Sequence, residues 1–339
     1  MTLRELGERG LIERIRRRLG APPPEVLLGI GDDAAAVAWA GRTLLLTTDT
    51  LLEGVHFRTS TATFRQIGAK AMAANLSDIA AMGGEPRWVL VALAVPAGLG
   101  VADVDELYAG MEEMAGPHGA ALIGGDTSAS PDRIVLALTV VGEVEGAPLT
   151  RRGARPGDAI LVTGELGAAA AGLALLEGDG AGLSPQERAP LERAHRVPTP
   201  RVREGRLIRR SGVATAMIDL SDGLATDLGH IATESEVGAR VSLAALPVEA
   251  ATRRAAQALG RDPWRLAATG GEDYELLFTA SRAEAEALAA RIAGETGARV
   301  SLIGEIRPAA DGVAFVDEAG RPVAVGLGFD HFAACGDPR

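Results

Sequence analysis

A chain of 339 residues is long enough for about two packed domains, but aromatics make up only 3% of it, so its cores must be built from Ala, Val, Leu and Ile. A net charge of −11, with no interleaving of basic and aromatic residues, argues against a nucleic-acid surface, and a single cysteine, Cys335, rules out an internal disulfide framework. No apolar run reaches the roughly 18 residues of a membrane span, and the charged N-terminus lacks a signal-peptide core, so a soluble cytoplasmic protein with no nucleic-acid or membrane partner is expected.

Leu3, Leu6, Leu11, Ile12, Ile15 and Leu19 form an approximate helical stripe over 3–19, closed by Pro22-Pro23-Pro24. Short strands are predicted at 26–30, 34–38 and 42–48. The last delivers Thr47, Thr48 and Asp49, and soon after them His56, to one sheet end. An Ala-rich helix over 64–82 carries Asn75, Ser77 and Asp78 in its later part and stops at Gly83-Gly84. Lys70, on the same helix, is the only lysine in a chain whose other cations are all arginine; charged helix positions usually form a solvated face, and that is the expectation here. A strand at 87–95, a helix at 101–115, a strand at 120–123 ending at Gly124-Gly125-Asp126, and a long strand at 133–144 complete the first half.

A basic, turn-rich stretch, 146–157, marks a boundary, giving domains 1–147 and 148–339. The second half reads as a strand at 159–163, helices at 168–176, 185–194 and 201–210, and a strand at 214–218 running into Asp219. It continues with a helix at 224–236, a strand at 240–243, a helix at 247–259, a strand at 274–279, a helix at 283–293, and strands near Val300, Val313 and Pro322. Gly178 to Gly182 is a candidate mobile loop. Strands and helices mix without strict alternation, so the fold class is α+β: a mixed sheet with helices on one face, followed by a second α+β layer.

Asp32, Asp33, Asp49, Asp78, Asp126, Asp219 and Asp222 lie beside Gly, Ser or Thr near the ends of apolar runs. Each alone is also ordinary turn or capping chemistry. If they converge, their mutual repulsion requires cations, and all-oxygen donors suit Mg²⁺ or Mn²⁺, not Zn²⁺. Ions held this way support phosphoryl transfer by positioning and charge neutralisation. There is no Walker A pattern and no Gly-x-Ser-x-Gly elbow. Gly164-Glu165-Leu166-Gly167 before a helix is either a phosphate cradle or a plain strand–helix turn.

The strings GIGDDAAAV (29–37), TTDTLLEGVHF (47–57), NLSDIAAMGG (75–84), LIGGDT (122–127), TRRGARPGD (150–158), IDLSDGLATDLGHI (218–231), GGEDYELLFT (270–279) and GFDHF (328–332) together resemble the thiamine-monophosphate kinase family. That family is related to aminoimidazole-ribotide synthetase, selenophosphate synthetase and a hydrogenase-maturation protein. The resemblance implies ATP-dependent phosphorylation of thiamine monophosphate to thiamine diphosphate, several Mg²⁺ ions, and a homodimer whose N-terminal sheets pair into a barrel. It further implies Asp33, Thr47, Thr48, Asp49, Asp78, Asp126, Asp219 and Asp222 as metal ligands and Gly125, Asp126, Arg151 and Ser221 as ATP contacts. His56, Glu272 and Phe329 are the implied thiamine-phosphate contacts, and Asp49, Asp126, Asp219 and Arg151 carry catalysis without a protein nucleophile. An arginine suits the phosphate role physically, since its fork binds phosphate oxygens bidentately. The alternatives are a ligase like aminoimidazole-ribotide synthetase and a non-catalytic thiamine-phosphate or nucleotide sensor. No reactive cysteine of the selenophosphate type stands near the N-terminus, and Cys335 reads as incidental.

Overall fold

The structure is a computed structural model that describes residues 2–178 and 182–332. Cys335 and the centre of the 178–182 loop lie outside the described residues. Two sheets organise the chain. The first half runs α1 (Leu3–Leu19), β1 (Val26–Leu28), β2 (Ala35–Trp39), β3 (Arg42–Leu52), α2 (Phe64–Ala81), β4 (Glu85–Pro96), α3 (Val101–Ala115), β5 (Ala121–Ser130) and β6 (Val135–Val144). Its six strands are ordered β1-β2-β3-β6-β4-β5, antiparallel except for β4 with β5.

The second half runs β7 (Ala159–Thr163), α4 (Ala168–Leu176), α5 (Pro185–Arg196), α6 (Val202–Ser211), β8 (Ala214–Asp219) and α7 (Leu224–Glu234). It continues with β9 (Val237–Ser242), α8 (Ala250–Ala258), α9 (Pro263–Thr269), β10 (Leu276–Ala280), α10 (Ala285–Thr296), β11 (Val300–Pro308), β12 (Val313–Val316) and β13 (Pro322–Val323). Its seven strands are ordered β13-β12-β9-β11-β7-β10-β8. The fold is therefore two-domain α+β with mixed sheets, as expected.

The helix α2 is the element that joins the two layers. Thr63 caps it through a capping box with Gln66, and 14 of its 18 residues are buried. Its large side chains Ile67, Met72, Leu76 and Ile79 share one core with β3, β4 and β6 and with Met217 and Phe278 of the second sheet. Burying those four α2 side chains is worth on the order of 10 kcal/mol. The crossing of α2 with α3 is tight. A Cβ on Gly68 would stand 2.0 Å from the Leu107 carbonyl oxygen, and one on Gly110 would stand 1.9 Å from that of Arg65, so both positions need a bare Cα.

Three readings change. β3 does not stop at Thr48: it pairs with β6 through Leu52, because Val135–Val140 supply ladder partners for residues 47–52, so Asp49 sits within a strand and not at its end. β5 likewise continues through Gly124-Gly125-Asp126 to Ser130. The helix α9, capped by Asp262 with Pro263 in its first turn, lies in a stretch where no element was predicted. α1 covers the expected span, with its own capping box, but it is kinked at Gly7, whose φ of 70° and ψ of 168° are not helical; it has no buried residue, and Leu3, Ile12, Ile15 and Leu19 are exposed.

Candidate functional site

Strand alternation sorts the acidic residues. On β3, Thr43, Thr47 and Leu51 face inward to α2, and Thr48 and Thr50 face outward. Inward-facing Thr47 donates to Asp78 Oδ2 at 2.5 Å, and the Asp49 main-chain N–H donates to Asn75 Oδ1 at 3.1 Å, so α2 brings its polar patch against β3. β8 delivers Asp219 from the second sheet, where Ser77 Oγ donates to its Oδ2 at 2.6 Å. Asp33 completes the group. Carboxylate oxygens of Asp33, Asp78 and Asp219 all lie within 4.8 Å of one another.

Arg151 Nη2 stands 2.7 Å from Asp33 Oδ1, and its main-chain N–H reaches Asp32 Oδ1 at 3.2 Å. Asp33 Oδ2 is buried with no hydrogen-bond partner among the described residues. An unpaired buried carboxylate oxygen is costly unless something else satisfies it. The electrostatics agree. Burial, then the Asp33 charge, pushes Asp219 up to about 8. Burial with the Asp49, Asp219 and Asp33 charges pushes Asp78 well above the carboxylate range. Burial and then Asp33 raise Asp49, and the same two causes bring Asp32 to about 7. A cluster of raised carboxylates around an orphan oxygen fits divalent cations with oxygen ligands.

Asp222 forms a neighbouring group with Asp227 and His230. Burial, then Glu8 of α1, takes Asp222 to about 6, and burial, then Arg151, takes His230 down to about 4. Asp227 also accepts the Gly223 main-chain N–H at 3.0 Å, which orders the start of α7. Ser221 lies between Asp219 and Asp222, and its carbonyl accepts the Glu272 N–H at 2.8 Å.

Thr48, Gly125 and Asp126 are placed apart. Thr48 Oγ1 donates to the Leu138 carbonyl on β6 and receives the Thr139 hydroxyl. Gly125 pairs with Val91, in the row that runs Asp49–Leu138–Val91–Gly125 across the sheet. That row spans three strand spacings, about 14 Å. Asp126 lies one row along, beside Ala92, on the exposed edge strand β5, where Ser128 donates to it.

A third group lies beyond Asp49. His56 Nδ1 accepts the Leu52 N–H at 3.0 Å, which puts the ring proton on Nε2. The His56 and His331 rings are 5.1 Å apart, and Phe329 meets His331 edge-on at 4.8 Å. Glu272 is joined to this group through Lys70, whose Nζ stands 2.6 Å from its Oε1. Lys70 is 2% exposed, so the solvated-face expectation fails. The Gly164–Gly167 turn is not an open anion cradle. Asp273 already accepts the Gly167 and Ala169 N–H groups at 2.8 and 3.3 Å and fills the α4 N-terminus.

Residues 31–144 match the AIR synthase related protein N-terminal domain, and 155–317 its C-terminal domain. The chain is 39% identical to the thiamine-monophosphate kinase of Escherichia coli over 335 residues, covering 96% of this chain and 98% of that one. The chain belongs to the thiamine-monophosphate kinase family. Among solved structures, AaThiL complexed with AMPPCP and TMP superposes with a TM-score of 0.85 at 34% identity, covering 98% of this chain and 99% of that one. The thiamine-monophosphate kinase of Stenotrophomonas maltophilia gives 0.74 at 39%, covering 92% and 96%.

Within this family fold, the sequence singled out Asn75 and Ser77 beside Asp78 without giving either a role, and it gave no role to Asp227, His195 or His331, which also shape the site. Ser77 and Asn75 sit in the same helical string as Asp78, at helix positions that face one way with Asp49 and Asp219 only once α2 is packed. His195 has no local motif at all. Among the described residues, no helix is long and apolar enough to cross a membrane.

Proposed function

We propose that this protein transfers the γ-phosphoryl group of ATP to the phosphate of thiamine monophosphate, releasing ADP and thiamine diphosphate. The observation that carries the reading is the buried meeting of Asp33, Asp78 and Asp219 beside Arg151, with one carboxylate oxygen left unpaired. It is supported by extensive similarity to thiamine-monophosphate kinases and to a relative complexed with AMPPCP and TMP.

Asp33, Thr47, Asp49, Asp78 and Asp219 are the residues to hold Mg²⁺, with Asp222 beside them and Thr48 and Asp126 on the outer face of the sheet. Bound there, such ions neutralise the charge of the polyphosphate and of the group in transfer. The chain's own residues do the rest. Arg151, fixed by Asp32 and Asp33, offers its remaining donors to phosphate oxygens, alongside Ser221 and the open backbone at Gly125. His56, with its proton on Nε2, is a donor to the acceptor phosphate. Phe329, 50% exposed, keeps a ring face free to stack on a thiamine ring. The acceptor phosphate attacks in line, and no side chain serves as nucleophile.

A homodimer belongs to the same proposal. The outer face of the first sheet leaves Trp88 and Leu90 at 45% and 44% exposure, beside Thr48 and the edge strand with Asp126. A second copy covering that face buries the apolar residues and brings further acidic groups toward a site. The division at 147/148 into a metal- and ATP-binding half and a half that completes the substrate site is part of this reading.

The test is a magnesium-dependent incubation with ATP and thiamine monophosphate, following thiamine diphosphate by chromatography and mass by sedimentation. Product that requires both substrates is expected. Binding of thiamine monophosphate without product points to a sensor, and neither binding nor product points to a ribotide ligase.

A further inference from the structure

Lys70, the one lysine of the chain, takes no part in the carboxylate cluster and yet lies inside α2, almost fully buried. Its ammonium reaches two segments at once. Besides the contact to Glu272 Oε1 at 2.6 Å, it donates to the main-chain oxygen of His56 at 3.0 Å. His56 follows β3 in the first half of the chain, and Glu272 precedes β10 in the second. Resting on the function proposed above, we infer that Lys70 is a positioning residue for the acceptor substrate, with His195 as its second support: together they lock the two segments that present His56 and Glu272 to thiamine phosphate.

Geometry on both sides of Glu272 supports this. Glu272 and Tyr274 have φ of 67° and 51°, a left-handed conformation that non-glycine residues rarely hold, so the loop is kept against its own backbone preference and depends on outside anchors. Its main chain is tied to Ser221. On the far side, His195 of α5 is buried and places Nδ1 3.1 Å from Glu272 Oε2, near but not squarely aligned. Burial alone raises the Glu272 carboxyl; Lys70, followed by His195, overrides it and brings it down to about 2, so an anionic acceptor faces the site throughout the physiological range. The space around the ammonium is closed. The adjoining cavity, lined by Phe57, Ile67 and His195, is about 10 Å³, room for no more than one water. A cavity of that size leaves little room for the larger planar guanidinium of an arginine at this position.

Steady-state kinetics on Lys70→Met, Lys70→Arg and His195→Leu test the inference, with unfolding curves alongside. Expected for both Lys70 variants is a rise of about tenfold or more in KM for thiamine monophosphate, KM for ATP within about twofold of wild type, and kcat falling less than KM rises. His195→Leu gives the same split at about three- to tenfold, and carries the test alone if the Lys70 variants do not fold. A folded Lys70→Met with unchanged KM for thiamine monophosphate overturns the inference. So does a rise in both KM values together, which marks a merely structural residue. Wild-type protein making no thiamine diphosphate refutes the function itself; an active wild type with indifferent Lys70 variants refutes only the positioning role.

Discussion

Asp219→Asn separates the cost of the site from its use. Asp219 is 3% exposed, and its carboxyl is pushed from an ordinary 3.8 to about 8 by burial and by Asp33. In the unfolded chain at pH 7 it is ionised, and the folded state must bind a proton to keep it neutral. The interval from 3.8 to pH 7, at about 1.4 kcal/mol per pH unit, sets a ceiling of about 4 kcal/mol on this penalty. Water entry and side-chain relaxation reduce such penalties, leaving about 1–3 kcal/mol. Asparagine keeps the acceptor that Ser77 uses and removes the charge, so Asp219→Asn is expected to melt about 1–4 °C above wild type in EDTA at pH 7. The sign follows from the raised value: the penalty grows as pH rises from 3.8 toward 8, so the advantage of the variant widens from pH 5 to pH 8. Kinase turnover is expected to fall by two orders of magnitude or more. Added Mg²⁺ stabilises wild type more than the variant, because binding to the folded state alone raises Tm. Differential scanning fluorimetry across pH, with and without Mg²⁺, reads the three melting shifts, and product chromatography reads the turnover. A variant that melts at or below wild type in EDTA at pH 8 refutes the account of Asp219 as an uncompensated buried carboxylate.

Glu272 runs with the opposite sign. Its folded value of about 2 lies below the ordinary 4.5, so its contribution of about 3 kcal/mol is present above pH 4.5 and lost as pH falls toward 2. Acid unfolding should therefore show wild type and Glu272→Gln converging between pH 5 and pH 3; parallel curves over that range would contradict it. Gly110→Ala forces a methyl against the Arg65 carbonyl at the α2–α3 crossing and is expected to cost about 1–3 kcal/mol, read as a lower urea midpoint. Asp126→Ala, on an exposed edge strand, should change stability by no more than about 0.5 kcal/mol while lowering turnover at least tenfold, and full activity in this variant removes Asp126 from the metal ligands.

The sequence by itself settled the elements whose signal is local. The helix Val101–Ala115, with acidic residues near its start, and the apolar strand Ala159–Thr163 are where periodicity and flanking turns put them. The order of acidic strings was likewise enough to reach the family, because eight short patterns in sequence constrain each other far more than any one does. Local signals failed where a neighbour decides. β3 and β5 run past their apolar stretches because strands beside them supply ladder partners, and a hydroxyl- or glycine-rich segment will stay extended when its backbone groups are paired there. Once β3 is known to continue, alternation alone sends Thr47 inward to Asp78 and Thr48 outward to Thr139, a difference invisible in the string Thr-Thr-Asp. Composition marked Lys70 as unusual and local pattern then placed it on the surface. Only the packing of α2 between two sheets buries it, and only that packing brings Glu272, some two hundred residues along the chain, within reach of its ammonium. Residue types and their order were in the sequence; which charges meet, and at what cost in desolvation, belongs to the tertiary structure, because Coulomb energies and burial depend on distance in space and not along the chain.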